Sequence, residues 1–260
     1  MADAKVRLEV DGNVGVVTLE SPPMNLFDRD VVEGLEGVLD QLEGSSGVRA
    51  LIVRAEGKVF TAGVDVHVFS GLSPADANEF AHRLLGLTRR IEELPFPTIA
   101  CVHGLCLTAG FELALACDMI WAAESARFGL VEIVVGVSPF MGGTQRVAER
   151  AGPARARELV MSGSLYDAAK LERWNVVNRV LADDELAEKT RRFAQRLADG
   201  PTLANAATKR VVRAYLDGGV RAADESTPDI VAPLFGSDDL KAAVQTFLEQ
   251  GPGNATFEGR

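Results

Sequence analysis

Apolar positions follow two different periods along the first part of the chain. Apolar residues alternate or run together at 6–10 and at 14–19, and Asp11-Gly12-Asn13 separates the two runs. Between Asp28 and Leu42 the apolar residues recur three and four positions apart, the spacing of one buried helix face. This pattern predicts a β-hairpin followed by an amphipathic helix.

Strands and helices alternate in the next part of the chain. Ser73 as N-cap and Pro74 in the first turn predict a helix that ends near Leu94. Short apolar runs predict strands and periodic segments predict helices: the strands are 50–54, 98–102 and 119–122, and the helices are 110–117 and the end of 139–151. This alternation is typical of the α/β class, which is the predicted fold class.

The pattern changes after about residue 182, where only helical spacing continues. The predicted helices there are 183–197, 203–216, 220–235 and 238–250. We therefore divide the chain into a first domain at residues 1–197 and a helical region at residues 198–260.

The composition is that of an ordinary globular protein, with 260 residues of which 47% are hydrophobic and 25% charged. The first apolar run, at 14–17, is short for a signal peptide, and no segment approaches the roughly 20 apolar residues of a membrane span. We therefore expect a cytoplasmic protein that does not contact membranes. The net charge of −10 also argues against nucleic acid and anionic membranes as partners.

Several common chemistries lack their sequence signatures. The chain has no Gly-x-Ser-x-Gly, no Gly-x-x-x-x-Gly-Lys-Ser/Thr and no Gly-x-Gly-x-x-Gly. The three histidines do not have metal-ligand spacing, so no metal site is predicted. The cysteines lie in apolar surroundings without a Cys-x-x-Cys pair, which favours core packing in a reducing compartment; they are Cys101, Cys106 and Cys117.

One glutamate stands alone in a long apolar stretch. Glu112 is the only formally charged residue between Glu93 and Asp118. An ionised carboxylate in such surroundings is costly unless it is paired or its pKa shifts. Gly110 precedes Glu112 at a predicted helix start, so stabilisation by free N–H groups and the helix dipole is the simplest explanation.

Glu132 is a second isolated carboxyl group, the only charge between Phe128 and Gln145. A loop glutamate that reaches solvent would explain Glu132 taken by itself. Considered together with Glu112, it indicates a pair of carboxyl groups that exchange protons with a water molecule between them. Burial and mutual repulsion would raise the pKa of such a pair.

The stretch "GKVFTAGVDV", residues 57–66, is a loop of small residues that lets a ligand approach the backbone closely. One N–H group from this loop and one from the helix start at Ala109-Gly110 are suited to forming an oxyanion hole. The alternative is a tight turn without a function, and the loop by itself does not decide between the two.

Four stretches, in this order, resemble the crotonase (enoyl-CoA hydratase/isomerase) superfamily. They are "SPPMNLF", "KVFTAGVDV", "VHGLCLTAGFELALACDMIWAAESARFGLVEIVVGVSPFMGGTQR" and "SGSLYDAAKLERWNVVNRV". The resemblance covers most of residues 5–215. It implies an α/β crotonase fold, a right-handed spiral of ββα units, followed by a C-terminal helical trimerisation region that forms a homotrimer or a dimer of trimers.

The resemblance also implies an acyl-CoA thioester as the ligand and hydration of a trans-2-enoyl-CoA as the reaction. By position in the motifs, Val64 and Ala109 supply the two N–H groups of the oxyanion hole. Glu112 acts as the base on the attacking water and Glu132 gives a proton to Cα, or both hold the same water. Coenzyme A enters as part of the substrate, and no metal or other cofactor is implied.

Further residues of the same motifs complete the acyl-CoA site that the resemblance implies. They come from the SPPMNLF turn, from the 57–66 loop and from the segments around the two glutamates. These expected substrate-binding residues are Met24, Leu26, Lys58, Ala62, Gly63, Asp65, Val66, Leu107, Gly110 and Gly136.

The chain departs from the family pattern at several of these places. Thr108-Ala109-Gly110 stands where relatives have three glycines, so we expect the Ala109 methyl to crowd the thioester. Phe140 and Met141 are bulky and are expected to narrow the acyl pocket. His67 replaces a lysine that is common near the CoA phosphates, and we expect Lys58 to compensate.

Two alternatives to a hydratase remain at this point. An enoyl-CoA isomerase would use Glu132 alone to move a proton between carbon atoms without adding water. A catalytically weak acyl-CoA-binding paralogue would bind thioesters without turnover because Ala109, Phe140 and Met141 have altered the pocket.

Overall fold

The computed structural model describes residues 4–45 and 47–260, and its strands form two sheets. The strands are β1 (Val6–Asp11), β2 (Val14–Leu19), β3 (Ala50–Ala55), β4 (Thr98–Val102), β5 (Leu105–Leu107), β6 (Met119–Ala123), β7 (Arg127–Gly129), β8 (Tyr166–Asp167) and β9 (Arg179–Leu181). The larger sheet has the order β1-β2-β3-β4-β6-β9, and the smaller one has the order β5-β7-β8.

Helices cover both the connections between strands and the C-terminal region. They are α1 (Arg29–Glu43), α2 (Pro74–Glu93), α3 (Ala109–Ala116), α4 (Gly143–Ala151), α5 (Pro153–Ser162), α6 (Ala168–Arg173), α7 (Leu186–Ala198), α8 (Thr202–Val231) and α9 (Asp238–Gln250). Short 3₁₀ turns lie at Val66–Phe69, Glu132–Val135 and Ala232–Gly236. The predicted α/β class is confirmed.

The larger sheet agrees with the hydrophobic pattern. β1 and β2 pair antiparallel as the predicted hairpin, and the other neighbours in this sheet pair in parallel. Parallel neighbours need long crossover connections, and segments containing helices supply them here. The strands β2, β3 and β4 are almost fully buried, which explains their continuous apolar runs.

The smaller sheet was not predicted, and it positions two segments that matter below. β5 pairs in parallel with β7, and β7 pairs antiparallel with β8. Each of these strands has only two or three residues, which is too short for a period of two to be visible in the sequence. Their pairing is therefore set by tertiary structure.

Local capping chemistry explains the helix starts. The Asp28 carboxylate accepts a hydrogen bond from the Val31 N–H, and Ser73 forms a capping box with Asp76. The predicted helix start at Asp183 is wrong, because α7 begins at Leu186. The Asp183 carboxylate instead accepts hydrogen bonds from the N–H and hydroxyl of Ser125.

The C-terminal region is helical as predicted. The helix predicted at 203–216 and most of the helix predicted at 220–235 form α8, in which Gly219 breaks the helical backbone with a φ of 75°. Residues 232–235 lie in the 3₁₀ turn that follows α8. Side chains tie this region to the larger sheet: Lys209 donates to the Asp118 carboxylate at 2.8 Å, and Arg49 donates to the Gly200 carbonyl at 2.7 Å. The domain boundary at 197/198 stays a prediction.

The three cysteines are buried and free, as expected for core residues. Burial raises the pKa of the Cys117 thiol to about 12, so this thiol is unreactive at neutral pH. Within residues 4–45 and 47–260, no helix is long and apolar enough to cross a membrane. The same residues contain no group of three or more His, Cys, Asp or Glu side chains placed to hold a metal ion.

Candidate active site

The 57–66 loop lies between two other segments of the chain. On one side, the Phe27 N–H donates to the Gly63 carbonyl at 2.9 Å. On the other side, Thr61 forms a parallel bridge with Cys106 of β5. The SPPMNLF turn, the loop and the segment that leads into α3 are therefore held side by side, which brings together three of the four sequence motifs.

Asn25 braces this arrangement, and the sequence reasoning did not single it out. Its side chain is buried, and its Nδ2 donates to the Glu56 and Val59 carbonyls at 2.8 and 2.9 Å. Both bonds go to backbone at the start of the loop. The available signal was a polar residue between Met24 and Leu26, in a turn where the neighbouring side chains are apolar.

The start of α3 packs directly against the loop because residue 110 has no side chain. A Cβ atom at Gly110 would lie 1.6 Å from Cγ2 of Thr61, which is itself fully buried. Ala109, the first residue of α3, is also buried, and its N–H lies in the first turn, where backbone donors have no partner inside the helix.

The two predicted oxyanion donors differ in their surroundings. The Val64 N–H already donates to the Oγ1 of Thr108 at 3.0 Å, which the sequence reasoning did not anticipate. Thr108 directly precedes Ala109, so this hydrogen bond places Val64 beside the N-terminus of α3. The loop and helix start are adjacent as predicted, but a hydroxyl of the protein holds one donor.

Glu112 is buried to 2% exposure in the first turn of α3. Its Oε1 accepts hydrogen bonds from the N–H groups of Met141 and Gly143 at 2.9 and 2.8 Å. Met141 lies just before α4 and Gly143 is the first residue of α4, so stabilisation by the start of α3 is not the whole explanation. Burial raises the pKa of Glu112 to about 7, although the two N–H donors oppose the shift.

Glu132 is 6% exposed, so the alternative of a loop glutamate that reaches solvent is wrong. It begins the Glu132–Val135 turn, and neither carboxylate oxygen has a hydrogen-bond partner among the described residues. Burial raises the pKa of Glu132 to about 7. An unsatisfied buried carboxyl group is costly for folding, and such groups are concentrated at functional sites.

The two glutamates form a pair with unequal environments. After burial, the charge of Glu132 is a further cause that raises the pKa of Glu112. Two backbone donors from another segment favour the ionised form of Glu112, whereas only the N–H of Glu132 itself favours that form of Glu132. Both pKa values are raised to about 7, so either carboxyl group can exchange a proton near neutral pH.

A partly buried ion pair lies beside the donors to Glu112. Arg146 of α4 donates from Nε and Nη2 to the two carboxylate oxygens of Glu92 at 2.7 and 2.6 Å, and its Nη1 donates to the Gly142 carbonyl at 3.2 Å. A Cβ atom at Gly143 would lie 2.8 Å from Cγ of Glu112. Glu92 and Arg146 are 54 positions apart, and no local pattern predicted their contact.

The expected substrate-binding residues fall into three groups. Ala62, Gly63, Asp65 and Leu107 belong to the loop and its paired segments, and Ala62 donates its N–H to the Met24 carbonyl at 2.9 Å. Leu26 and Gly110 adjoin them in the chain. The residues of the third group are exposed to solvent; they are Met24, Lys58, Val66 and Gly136.

Gly136 is separate from the segments that carry the two predicted oxyanion donors. Its φ of 80° ends the turn that Glu132 begins, and its N–H donates to the Ile133 carbonyl at 3.1 Å. Among the described residues, no hydrogen bond or bridge joins Gly136 to the 57–66 loop. The His67 side chain is exposed, and its Nδ1 lies 2.6 Å from the Asp65 carboxylate. Lys58, near the start of the same loop, is exposed as well.

Phe140 and Met141 take different positions. Met141 is fully buried, so its side chain fills the core while its N–H holds Glu112. The Phe140 ring packs against Phe69 and Phe80, with ring centroids 5.5 and 6.3 Å apart. The expected narrowing of an acyl pocket by Phe140 stays a prediction.

The raised pKa of Glu112 predicts how stability depends on pH. Its pKa is about 7 in the folded protein against about 4.5 in the unfolded chain, so the folded state binds more protons between these values. The free energy of unfolding contributed by Glu112 is therefore fully present below pH 4.5 and is lost as the pH rises through 7. We expect the free energy of unfolding of Glu112→Gln, measured with denaturant, to increase relative to that of the unsubstituted protein by roughly 3 kcal/mol between pH 4.5 and pH 8.

Glu158→Gln is the matched control for this titration, because Glu158 is 41% exposed in an ion pair with Arg155. Its stability difference from the unsubstituted protein should change little with pH. Parallel stability curves for Glu112→Gln and the unsubstituted protein would contradict the assigned burial of an ionising group at residue 112.

Comparison with known proteins assigns the chain to a family. The sequence pattern of the enoyl-CoA hydratase/isomerase family matches residues 9–260. A Bacillus subtilis protein named "Probable enoyl-CoA hydratase" is 34% identical over 247 residues, which are 94% of this chain and 96% of that protein. The "Crotonyl-CoA hydratase" of Syntrophomonas wolfei is 30% identical over 256 residues, 98% of each chain.

Comparison with solved structures shows that the chain also shares its fold with this family. A crystal structure of enoyl-CoA hydratase subunit I from Geobacillus kaustophilus superposes with a TM-score of 0.92 and 32% sequence identity, over 98% of each chain. The overall crotonase fold expected from the sequence is thereby confirmed, whereas the spiral of ββα units and the trimer stay predictions. The chain belongs to the enoyl-CoA hydratase/isomerase family.

Proposed function

We propose that the protein catalyses the reversible syn-addition of water to a trans-2-enoyl-CoA, giving a 3-hydroxyacyl-CoA. The observation that carries this proposal is the buried pair Glu112 and Glu132, of which one is held by two N–H donors and the other by none among the described residues. The names of the relatives support the same activity.

The oxyanion hole supplies the first part of the mechanism. Attack of water at Cβ of an α,β-unsaturated thioester moves negative charge onto the thioester oxygen. The N–H groups of Val64 and Ala109 are proposed to donate to this oxygen, and each preorganised donor in a dry site contributes roughly 3–4 kcal/mol to transition-state stabilisation. The burial of Ala109 and the close packing of Gly110 on the loop support such a fixed site.

The two glutamates supply the proton transfers. Ionised Glu112 is proposed to accept a proton from the attacking water, because its two backbone donors favour the charged form. Protonated Glu132 then gives its proton to Cα as the enolate collapses. Proton transfer between the coupled groups would restore the starting state, and the pH dependence of kcat/KM should be bell-shaped around neutral pH.

Substrate binding and assembly complete the proposal. Exposed Lys58 at the rim of the loop is suited to the CoA phosphates, and no metal or redox cofactor takes part because the two glutamates carry out both proton transfers. Large apolar side chains exposed in the C-terminal region, among them Phe235 at 71% and Leu248 at 79%, support a homotrimer or dimer of trimers. We further propose a cytoplasmic location.

A substrate comparison tests the function. The purified protein is mixed with crotonyl-CoA, with longer trans-2-enoyl-CoAs and with 3-enoyl-CoAs, and products are identified by mass. Loss of the enoyl-thioester absorbance with gain of one water from the 2-enoyl compounds is the expected result. Conversion of 3-enoyl-CoAs without hydration of any 2-enoyl-CoA would indicate the isomerase, and binding without turnover would indicate the weak paralogue; either would overturn the proposal.

A further inference from the structure

Thr108 holds a backbone donor that the proposed reaction requires. The Val64 N–H donates to Thr108 Oγ1 at 3.0 Å, and Thr108 is only 8% exposed. The Thr108 hydroxyl oxygen accepts the hydrogen bond from this N–H in the ligand-free protein. In the proposed reaction, the thioester oxygen has to accept a hydrogen bond from the same N–H. The two oxygens therefore compete for the same donor.

The backbone of Thr108 is unusual for a β-branched residue. Its φ of 47° and ψ of −123° resemble the first central position of a type II′ turn, which favours glycine. Three hydrogen bonds offset this conformation: the Thr108 N–H donates to the Gly129 carbonyl at 2.9 Å, its carbonyl accepts from the Glu112 N–H at 2.9 Å, and its hydroxyl accepts from Val64. The side chain is thus part of a fixed arrangement.

Gly63 makes room for the Thr108 hydroxyl. A Cβ atom at Gly63 would lie 2.4 Å from Oγ1 and 3.3 Å from Cγ2 of Thr108. The threonine side chain therefore lies against the backbone of the 57–66 loop, immediately beside the Val64 donor. It is seated in the candidate oxyanion hole rather than directed toward solvent.

We propose that Thr108 is an internal substitute for the thioester oxygen, which holds the Val64 N–H in the ligand-free protein and rotates away when an acyl-CoA binds. This inference rests on the proposed function. Displacing the hydroxyl lowers the affinity for every ligand that places an oxygen in the hole. Because the displacement accompanies binding, Thr108 changes KM more than kcat.

Two CoA compounds that cannot be hydrated test the inference by calorimetry. Butyryl-CoA carries the thioester oxygen, whereas S-butyl-CoA is a thioether without it. Thr108→Ala should bind butyryl-CoA about three- to tenfold more tightly than the unsubstituted protein, since one neutral hydrogen bond no longer has to be displaced. Its affinity for S-butyl-CoA should not change, and Thr108→Ser, which keeps the hydroxyl, should bind both like the unsubstituted protein.

Several results would overturn the inference. Weaker butyryl-CoA binding by Thr108→Ala, or a lower kcat for crotonyl-CoA at unchanged KM, would make the hydroxyl a direct donor to the thioester oxygen. Equal tightening of both compounds would indicate relief of crowding instead of release of the N–H. Failure of the unsubstituted protein to bind either compound would contradict the proposed function itself, and this inference with it.

Discussion

Replacing either buried glutamate by glutamine is expected to lower kcat for hydration by about 10²–10⁴-fold, the usual contribution of a positioned acid or base. Glu112→Gln keeps a carbonyl oxygen that accepts from Met141 and Gly143, so the fold should survive. Glu132→Gln changes a carboxyl group without a described hydrogen-bond partner and should be at least as well tolerated. Steady-state kinetics with crotonyl-CoA, together with butyryl-CoA affinity, measure both effects.

Glu149→Gln is the control for these variants. Burial raises the pKa of Glu149 as well, but Glu149 lies on α4 and makes no described hydrogen bond to either member of the pair. Its substitution should leave kcat within a few-fold of the original value. If Glu112→Gln or Glu132→Gln hydrates crotonyl-CoA at nearly the original rate, the role assigned to that glutamate is wrong.

Adding one methyl group at Gly110 is expected to have the second largest effect. The new Cβ would lie 1.6 Å from Cγ2 of buried Thr61, so the start of α3 or the loop must move. Overpacking of this kind costs about 1–3 kcal/mol and sometimes more. The movement would also displace the Ala109 N–H, so both the free energy of unfolding and kcat should fall in Gly110→Ala.

A second substitution identifies the cause of that loss. Thr61→Ser removes Cγ2 but keeps the Oγ1 that accepts from the Gly63 N–H at 3.0 Å. The double variant Thr61→Ser/Gly110→Ala should therefore recover much of the stability and rate. Gly86→Ala in α2, where a Cβ meets no atom within 4 Å, is the helical control and should be neutral or slightly stabilising. Equal stability of Gly110→Ala and Gly86→Ala would contradict the packing described.

Elements set by local chemistry were predictable from the sequence. The hairpin around Asp11-Gly12-Asn13 and the capping of α2 by Ser73 depend on residues only a few positions apart. Glu112 and Glu132 stood out because isolated charges in apolar stretches are rare. Both are buried, and their action as a pair of carboxyl groups stays a prediction.

Features set by long-range contacts were not predictable in the same way. The short strand β8 and the pairing of Glu92 with Arg146 depend on segments that only the fold brings together. The hydrogen bond from Val64 to Thr108 is the most consequential case, because the sequence shows a threonine but not its rotamer or backbone conformation. From the family motifs alone, the N–H groups of both Val64 and Ala109 would be expected to be free to bind a ligand.

The central claim is that two buried glutamates add water to an enoyl thioester. Its most direct test is incubation of crotonyl-CoA with the protein in water labelled with a heavy oxygen isotope, followed by mass analysis of the product. The unsubstituted protein should form 3-hydroxybutyryl-CoA that carries one labelled oxygen, and Glu132→Gln should form almost none at equal protein concentration. No labelled product from the unsubstituted protein, or equal labelling by Glu132→Gln, would contradict the claim.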